Sequence, residues 1–262
     1  MSLPAYADWK DAKPALHQAA QVLNVIRVAS HDPLPNALRH SLRPIPSGAT
    51  TDALNFGGTL TLNYTDGAII YSEAGQETFR AALTGKSQTA LFNTVLGGIQ
   101  QAGHTLDPDR ARITGTEPLN LDLTQAKLYA EVQWRMFQML AIVKASLFGP
   151  QNPLVLWPHG FDLSLLWFVD GMEERADPHL NFGFSPGTPD VGQPYVYFYT
   201  YPALPALRDH LPDWVTWTTN WSAPGGYIKY DQFAHDSQPE HRLIDTLLGI
   251  YRAASEMLKA SS

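Results

Sequence analysis

Apolar and polar residues alternate along this chain with two different periods, and the period changes from segment to segment. Apolar side chains recur every three or four residues in four stretches, which predicts helices there. The longest of these runs from Thr124 to Phe148 and ends at Gly149-Pro150, a pair that stops a helix. The other three predicted helices are 9–28, 87–101 and 239–259.

A period of two marks the predicted strands. Leu60, Leu62 and Tyr64 alternate with polar residues, and Asp66-Gly67 then predicts a hairpin with a type I′ turn. After Pro150 six short β-type runs follow one another between glycines and prolines, which favours an antiparallel sheet over alternating strand–helix units. These runs are 154–157, 161–169, 180–184, 195–201, 214–218 and 227–230.

The pattern therefore predicts an α+β protein with mainly antiparallel sheet and four to five helices. In each half of the chain the pattern predicts a helix, then strands, then a second helix. The predicted halves are residues 1–123 and 124–262, and we expect them to form one compact unit. The long helix should be buried along Val132, Met139, Leu140 and Val143, because its apolar stripe is too wide for a surface helix.

Composition narrows the class of protein. The 262 residues carry a net charge of −7 without any run of like charges, which argues against nucleic-acid binding. No apolar stretch approaches 18 residues, so we expect no membrane span. The absence of cysteine and of a recognisable secretory signal favours a cytoplasmic location. The sequence names no cofactor and no oligomeric state.

Two apparent motifs lack the context that their chemistry needs. Gly85-Lys86-Ser87 resembles the end of a phosphate-binding loop, but Arg80 stands where that loop requires glycine. Residues 183–187 match the G-x-S-x-G nucleophile elbow. However, Pro186 follows the serine and has no N–H to donate to an oxyanion.

A tyrosine-rich segment is the leading candidate for a binding site. In a strand over 195–201 all four tyrosines point to one face, and tyrosine suits a half-wet groove because it combines an apolar ring with a polar tip. We expect this face to bind a small apolar or aromatic molecule, with the main pocket beside it. The predicted ligand-binding residues are Trp157, Trp167, Tyr197, Tyr199 and Tyr201.

A cluster of acids and imidazoles suggests an alternative, an enzyme of hydrolase type. His159 and Asp162 would act as acid and base, or would share a metal ion with Asp177 and His179, since two imidazoles and two carboxylates suffice for zinc or manganese. A third hypothesis is an oligomerisation or interaction protein without catalysis, whose exposed aromatic residues form the interface.

Three motifs together resemble an uncharacterised bacterial family, catalogued as domain of unknown function 5996. They are Trp157…Gly160-Phe161-Asp162-Leu163, Gly183-Phe184…Pro186-Gly187 and Tyr197…Tyr199…Tyr201-Pro202. The resemblance runs from end to end of the chain. It differs at residues 36–40, where the family has a segment rich in histidine and tryptophan, and at Ser185, where the family has tryptophan. The resemblance implies an architecture and no established activity.

Overall fold

Two antiparallel sheets and four long helices make up the protein, as a computed structural model describes it over residues 2–261. This arrangement confirms the predicted α+β class. Within these residues, no helix combines the length and the apolar character that crossing a membrane would require. The helices are α1 (Lys13–Ser30), α2 (Gln88–Gln101), α3 (Leu123–Ala145) and α4 (Pro239–Ser261).

The first sheet has five strands in chain order. Its third and fourth strands form the predicted hairpin, but the loop is Tyr64–Gly67 and only Gly67 has a positive φ, of 61°. A type I′ turn needs positive φ at both central residues, so that turn type is wrong. Asn63 shapes the loop instead, because its Oδ1 accepts hydrogen bonds from the Asp66 amide and the Thr65 hydroxyl. The strands are β1 (Arg43–Ile45), β2 (Gly48–Ala53), β3 (Thr59–Asn63), β4 (Ala68–Glu73) and β5 (Gln76–Ala82).

The second sheet has six strands in the order β10-β11-β9-β8-β7-β6. Each of the six β-type runs after Pro150 overlaps one of its strands. The centre consists of three seven-residue strands, in which Phe182 pairs with Leu165 on one side and with Phe198 on the other. The strands are β6 (Val155–Trp157), β7 (Asp162–Phe168), β8 (His179–Ser185), β9 (Tyr195–Tyr201), β10 (Thr216–Thr218) and β11 (Gly225–Lys229).

The long helix α3 begins where Asp122 caps it. The Asp122 carboxylate accepts hydrogen bonds from the amides of Thr124 and Gln125, which have no partner inside the helix. The predicted burial is confirmed, since Val132, Met139, Leu140 and Val143 are at most 1% exposed.

The chain divides into two compact units, and the division falls inside α3 rather than before it. The N-terminal unit comprises Ala7–Trp134 and Leu156–Phe161, and its core includes the fully buried rings of Trp9, Tyr64 and Tyr129. The C-terminal unit comprises Arg135–Val155 and the chain from Asp162 onward, with the N-terminal residues up to Tyr6. Its core lies between α4 and the central strands, where the Trp167 ring meets the Tyr251 ring edge to face.

Candidate functional site

The two faces of the six-stranded sheet differ in chemistry. On the central strands β7, β8 and β9 one face, here called the covered face, carries apolar side chains and packs beneath α4. The other carries mainly hydroxyl, carboxamide, imidazole and tyrosine groups, together with two buried apolar side chains of β7, because side chains alternate along each strand and the register aligns these positions. We call it the tyrosine face: Asp162, Ser164, Leu166 and Phe168 of β7, His179, Asn181, Gly183 and Ser185 of β8, the four tyrosines of β9, and Gly225, Tyr227 and Lys229 of β11.

The tyrosines of β9 grade from buried to exposed along the strand. Tyr195 is buried, Tyr197 and Tyr199 are half-buried, and Tyr201 is exposed. The intervening Val196, Phe198 and Thr200 are all buried. The rings of Tyr197 and Tyr199 lie within 4° of parallel with their centroids 6.5 Å apart. Water therefore reaches part of an ordered aromatic surface.

Trp221 extends this surface at the Tyr195 end, and sequence reasoning did not single it out as a site residue. The Trp221 ring stacks on Tyr195 at a centroid distance of 5.8 Å and meets Tyr227 at 5.6 Å. Asp190 holds it in place by accepting a hydrogen bond from the indole Nε1. Trp221 comes from the loop between β10 and β11, so only the pairing of those strands brings it here.

A glycine on the neighbouring strand β8 makes room for one of the rings. A Cβ on Gly183 would lie 2.3 Å from the Tyr197 ring. Real Cβ atoms do not approach so closely. The Tyr197 ring therefore leans sideways over β8, which carries no side chain at this position.

Asp162 binds the first of the two half-buried tyrosines. The Tyr197 hydroxyl donates to Asp162 Oδ2 at 2.5 Å, a short charge-assisted hydrogen bond. Burial, followed by the negative charge of Asp162, raises the pKa of Tyr197 well above its ordinary value. Tyr197 is thus a neutral hydrogen-bond donor whose proton is held by a carboxylate.

Asn181 binds the second half-buried tyrosine and keeps one polar atom unused. Its Nδ2 donates to the Tyr199 hydroxyl at 3.1 Å. Its Oδ1 is buried and has no hydrogen-bond partner among residues 2–261, although the side chain is only 4% exposed. Burial raises the pKa of Tyr199 to about 12. An unpaired buried carbonyl costs about 1–3 kcal/mol, which a hydrogen-bond donor from a ligand would recover.

His179 occupies the opposite end of the face from Trp221. Its Nδ1 contacts the Asp177 backbone carbonyl at 2.9 Å, and a carbonyl only accepts, so Nδ1 carries the proton. The ring stacks on Tyr201 at 5.5 Å. Burial lowers the pKa of His179, which keeps the imidazole neutral at pH 7 with Nε2 unprotonated.

The metal hypothesis gains no support from the positions of its four residues. Within residues 2–261 no group of three or more histidine, aspartate or glutamate side chains is arranged to hold a metal ion. Asp177 uses its carboxylate to accept a hydrogen bond from the Glu173 amide. Asp162 binds Tyr197, and His159 lies exposed in the N-terminal unit.

The two predicted tryptophans belong to different units. Trp167 is on the covered face, fully buried, and its indole donates to the Phe148 carbonyl at 2.6 Å. It therefore does not share a face with the tyrosines, contrary to the expectation. Trp157 ends β6, and its ring lies 6.1 Å from that of His159.

Three described pockets have other linings. One of about 520 Å³ in the C-terminal unit is lined by residues that include Arg208, Asp213 and Trp217. The other two are in the N-terminal unit and share Asn24 and Arg112. That the main pocket lies beside the tyrosines stays a prediction.

The fold and this face define the class as an α+β protein whose second sheet bears a half-exposed aromatic surface. A family model described as "Family of unknown function (DUF5996)" matches residues 2–261. The chain therefore belongs to that family. No curated protein and no solved structure matches this chain.

Proposed function

We propose that the tyrosine face binds a small apolar or aromatic molecule that carries a hydrogen-bond donor. The observation that carries this proposal is Asn181 Oδ1, a buried carbonyl without a partner among residues 2–261, in a carboxamide that binds the Tyr199 hydroxyl of the near-parallel tyrosine pair. The rings supply apolar contact area, and the carbonyl supplies the one unmet polar requirement.

Charge on this face argues for a neutral or cationic ligand. Asp162 carries a negative charge, and the lowered pKa of His179 keeps that side chain uncharged at neutral pH. Lys229 pairs with Tyr195 at the far end of β9 and is the single cation among the residues opposite the four tyrosines. Asp162 would repel an anionic aromatic compound.

Titration with indole tests the proposal, because indole is a flat apolar ring with one N–H donor. Protein labelled with 3-fluorotyrosine reports each tyrosine by ¹⁹F NMR. We expect indole to shift the Tyr197 and Tyr199 signals, and its N-methyl derivative, which lacks the donor, to bind at least about tenfold more weakly, the equivalent of 1.4 kcal/mol.

Two matched variants test whether indole binds at the tyrosine face. Tyr199→Ser should abolish the shifts, whereas Phe148→Ser, which removes a ring that is 84% exposed elsewhere in the same unit, should leave them unchanged. Equal loss in both variants, or no shift in the parent protein, would refute binding at this face. Concentration-dependent dimerisation that Tyr199→Ser abolishes would favour the interaction hypothesis instead.

A further inference from the structure

A second candidate site lies in the N-terminal unit, against one side of α1. Two pockets of about 280 and 330 Å³ share Asn24, Val25 and Arg112 and so form one continuous depression. Its basic lining comes from three distant parts of the chain: Arg39 and His40, Arg112, and His159.

Helix α1 holds the first of these segments. Asn24 donates from Nδ2 to the His40 carbonyl at 2.8 Å, and Arg27 donates from Nε to the Arg39 carbonyl at 3.2 Å. The backbone that carries the Arg39 guanidinium and the His40 imidazole is thereby fixed to two buried side chains of the helix.

Gln88 and His17 hold the other two segments, which carry Arg112 and His159. The Gln88 carboxamide accepts from the amides of Thr114 and Gly115 and donates to the Gln18 carbonyl of α1, which fixes the loop that carries Arg112. His17 Nε2 contacts the carbonyls of Pro158 and His159 at 2.9 and 3.2 Å, which fixes the turn that carries His159. The site is therefore organised before any ligand arrives.

The charges in this depression are unbalanced. Neither Arg39 nor Arg112 has an ion-pair partner among residues 2–261, although the whole chain has an acidic excess. The single carboxylate in the lining is Asp109, whose Oδ1 accepts a hydrogen bond from the Ala111 amide. The pKa of His40 is lowered by burial first and then by Arg39, Arg112 and His159. Positive potential thus accumulates at one place in a negatively charged protein.

We propose that this depression, hereafter the arginine pocket, binds the phosphate or carboxylate group of a small molecule. A guanidinium matches either oxyanion with two parallel hydrogen bonds, and two arginines line this depression. His40 adds charge when it is protonated. An oxyanion favours that form, so its binding and proton uptake are linked. This site is independent of the tyrosine face.

Isothermal titration with sulfate and with malonate tests the proposal and separates the two chemistries. Sulfate imitates phosphate but keeps its charge between about pH 6 and pH 8, so any pH dependence belongs to the protein. We expect one of the two anions to bind at constant ionic strength. The affinity of sulfate, whose charge is constant, should rise about tenfold from pH 8 to pH 6, which corresponds to one pKa unit of coupling.

Charge-matched variants separate the site from general electrostatics. Arg39→Gln/Arg112→Gln should abolish binding, and Arg175→Gln/Arg252→Gln, which removes two exposed arginines from the other unit, should preserve it. Arg112→Gln alone, at an exposed position, is the second variant if the first pair fails to fold. His40→Gln should retain binding at pH 8 and weaken its pH dependence.

Three results would overturn the proposal. They are the absence of binding by either anion, equal weakening in both arginine pairs, and an unchanged pH dependence in His40→Gln. None of them bears on indole binding at the tyrosine face, which uses other residues in the other unit.

Discussion

The two faces of the six-stranded sheet are built from the same strands, and both are largely buried on β8, yet they have different requirements. On the covered face Phe182 and its neighbours need only shape complementarity. On the tyrosine face the buried polar groups need hydrogen-bond partners as well, and Asn181 Oδ1 lacks one. Burial alone therefore does not distinguish core from site, whereas an unpaired polar atom beside partly exposed rings does.

Removing a ring from the covered face should have the largest effect. Phe182→Ala should lower the free energy of unfolding by about 3–5 kcal/mol, because the cavity that it leaves is enclosed by β7, β9 and α4. Urea denaturation measures this. The matched change Tyr201→Ala, at a residue 44% exposed, should cost far less. Similar losses for both would show that the faces do not differ as described.

Tyr199→Phe should have an intermediate effect. It leaves Asn181 Nδ2 without its acceptor at a buried position, which costs about 1–3 kcal/mol. The same removal of a hydroxyl at the exposed Tyr201 should change stability by less than about 0.5 kcal/mol. Equal midpoints for Tyr199→Phe and Tyr201→Phe would mean that the Asn181–Tyr199 hydrogen bond contributes nothing.

Acid should weaken the fold through its buried imidazoles. Burial lowers the pKa of His179, so between its folded value and the ordinary 6.5 the unfolded chain binds more protons. Stability is therefore highest above about pH 6.5 and falls as pH decreases below it. His179→Gln should reduce this slope without removing it, since the pKa values of His17 and His40 are lowered too. An unaltered slope in chemical denaturation across that range would contradict the assignment.

The change with the smallest expected effect should raise the free energy of unfolding rather than lower it. Thr200 lies on the covered face, 2% exposed, and its hydroxyl has no hydrogen-bond partner within residues 2–261. Thr200→Val keeps the shape and removes the unpaired group, so it should stabilise the protein by up to about 1 kcal/mol. A loss of stability in thermal denaturation would show that this hydroxyl is satisfied after all, and that the covered face is less purely apolar than it looks.

The sequence pattern was sufficient for the elements and for the side on which the tyrosines of β9 lie, because strand period depends on the chain's own order. It could not assign Trp167 to a face relative to Tyr197, because that depends on the register between β7, β8 and β9. Trp221 was missed for a related reason, since its partners come from β9 and β11.

The arginine pocket could not be predicted from the sequence at all. Its basic residues stand at positions 39, 40, 112 and 159, with no motif or spacing to connect them. Only the docking of their loops on α1 reveals that they share a depression. Of these four residues, only His159 is proposed as a site residue from the sequence, and there it is assigned to acid–base or metal chemistry with Asp162.

The contact between His17 and the Pro158 carbonyl has a consequence for synthesis. The two residues are 141 positions apart, so α1 is complete long before the turn that His17 binds has been made. Because the chain emerges from the ribosome N-terminus first, α1 lacks this contact while more than half of the protein is translated. Because contacts at such separation form slowly, the last wall of the arginine pocket should be a late event in folding, and stalled chains that end before Pro158 should lack it.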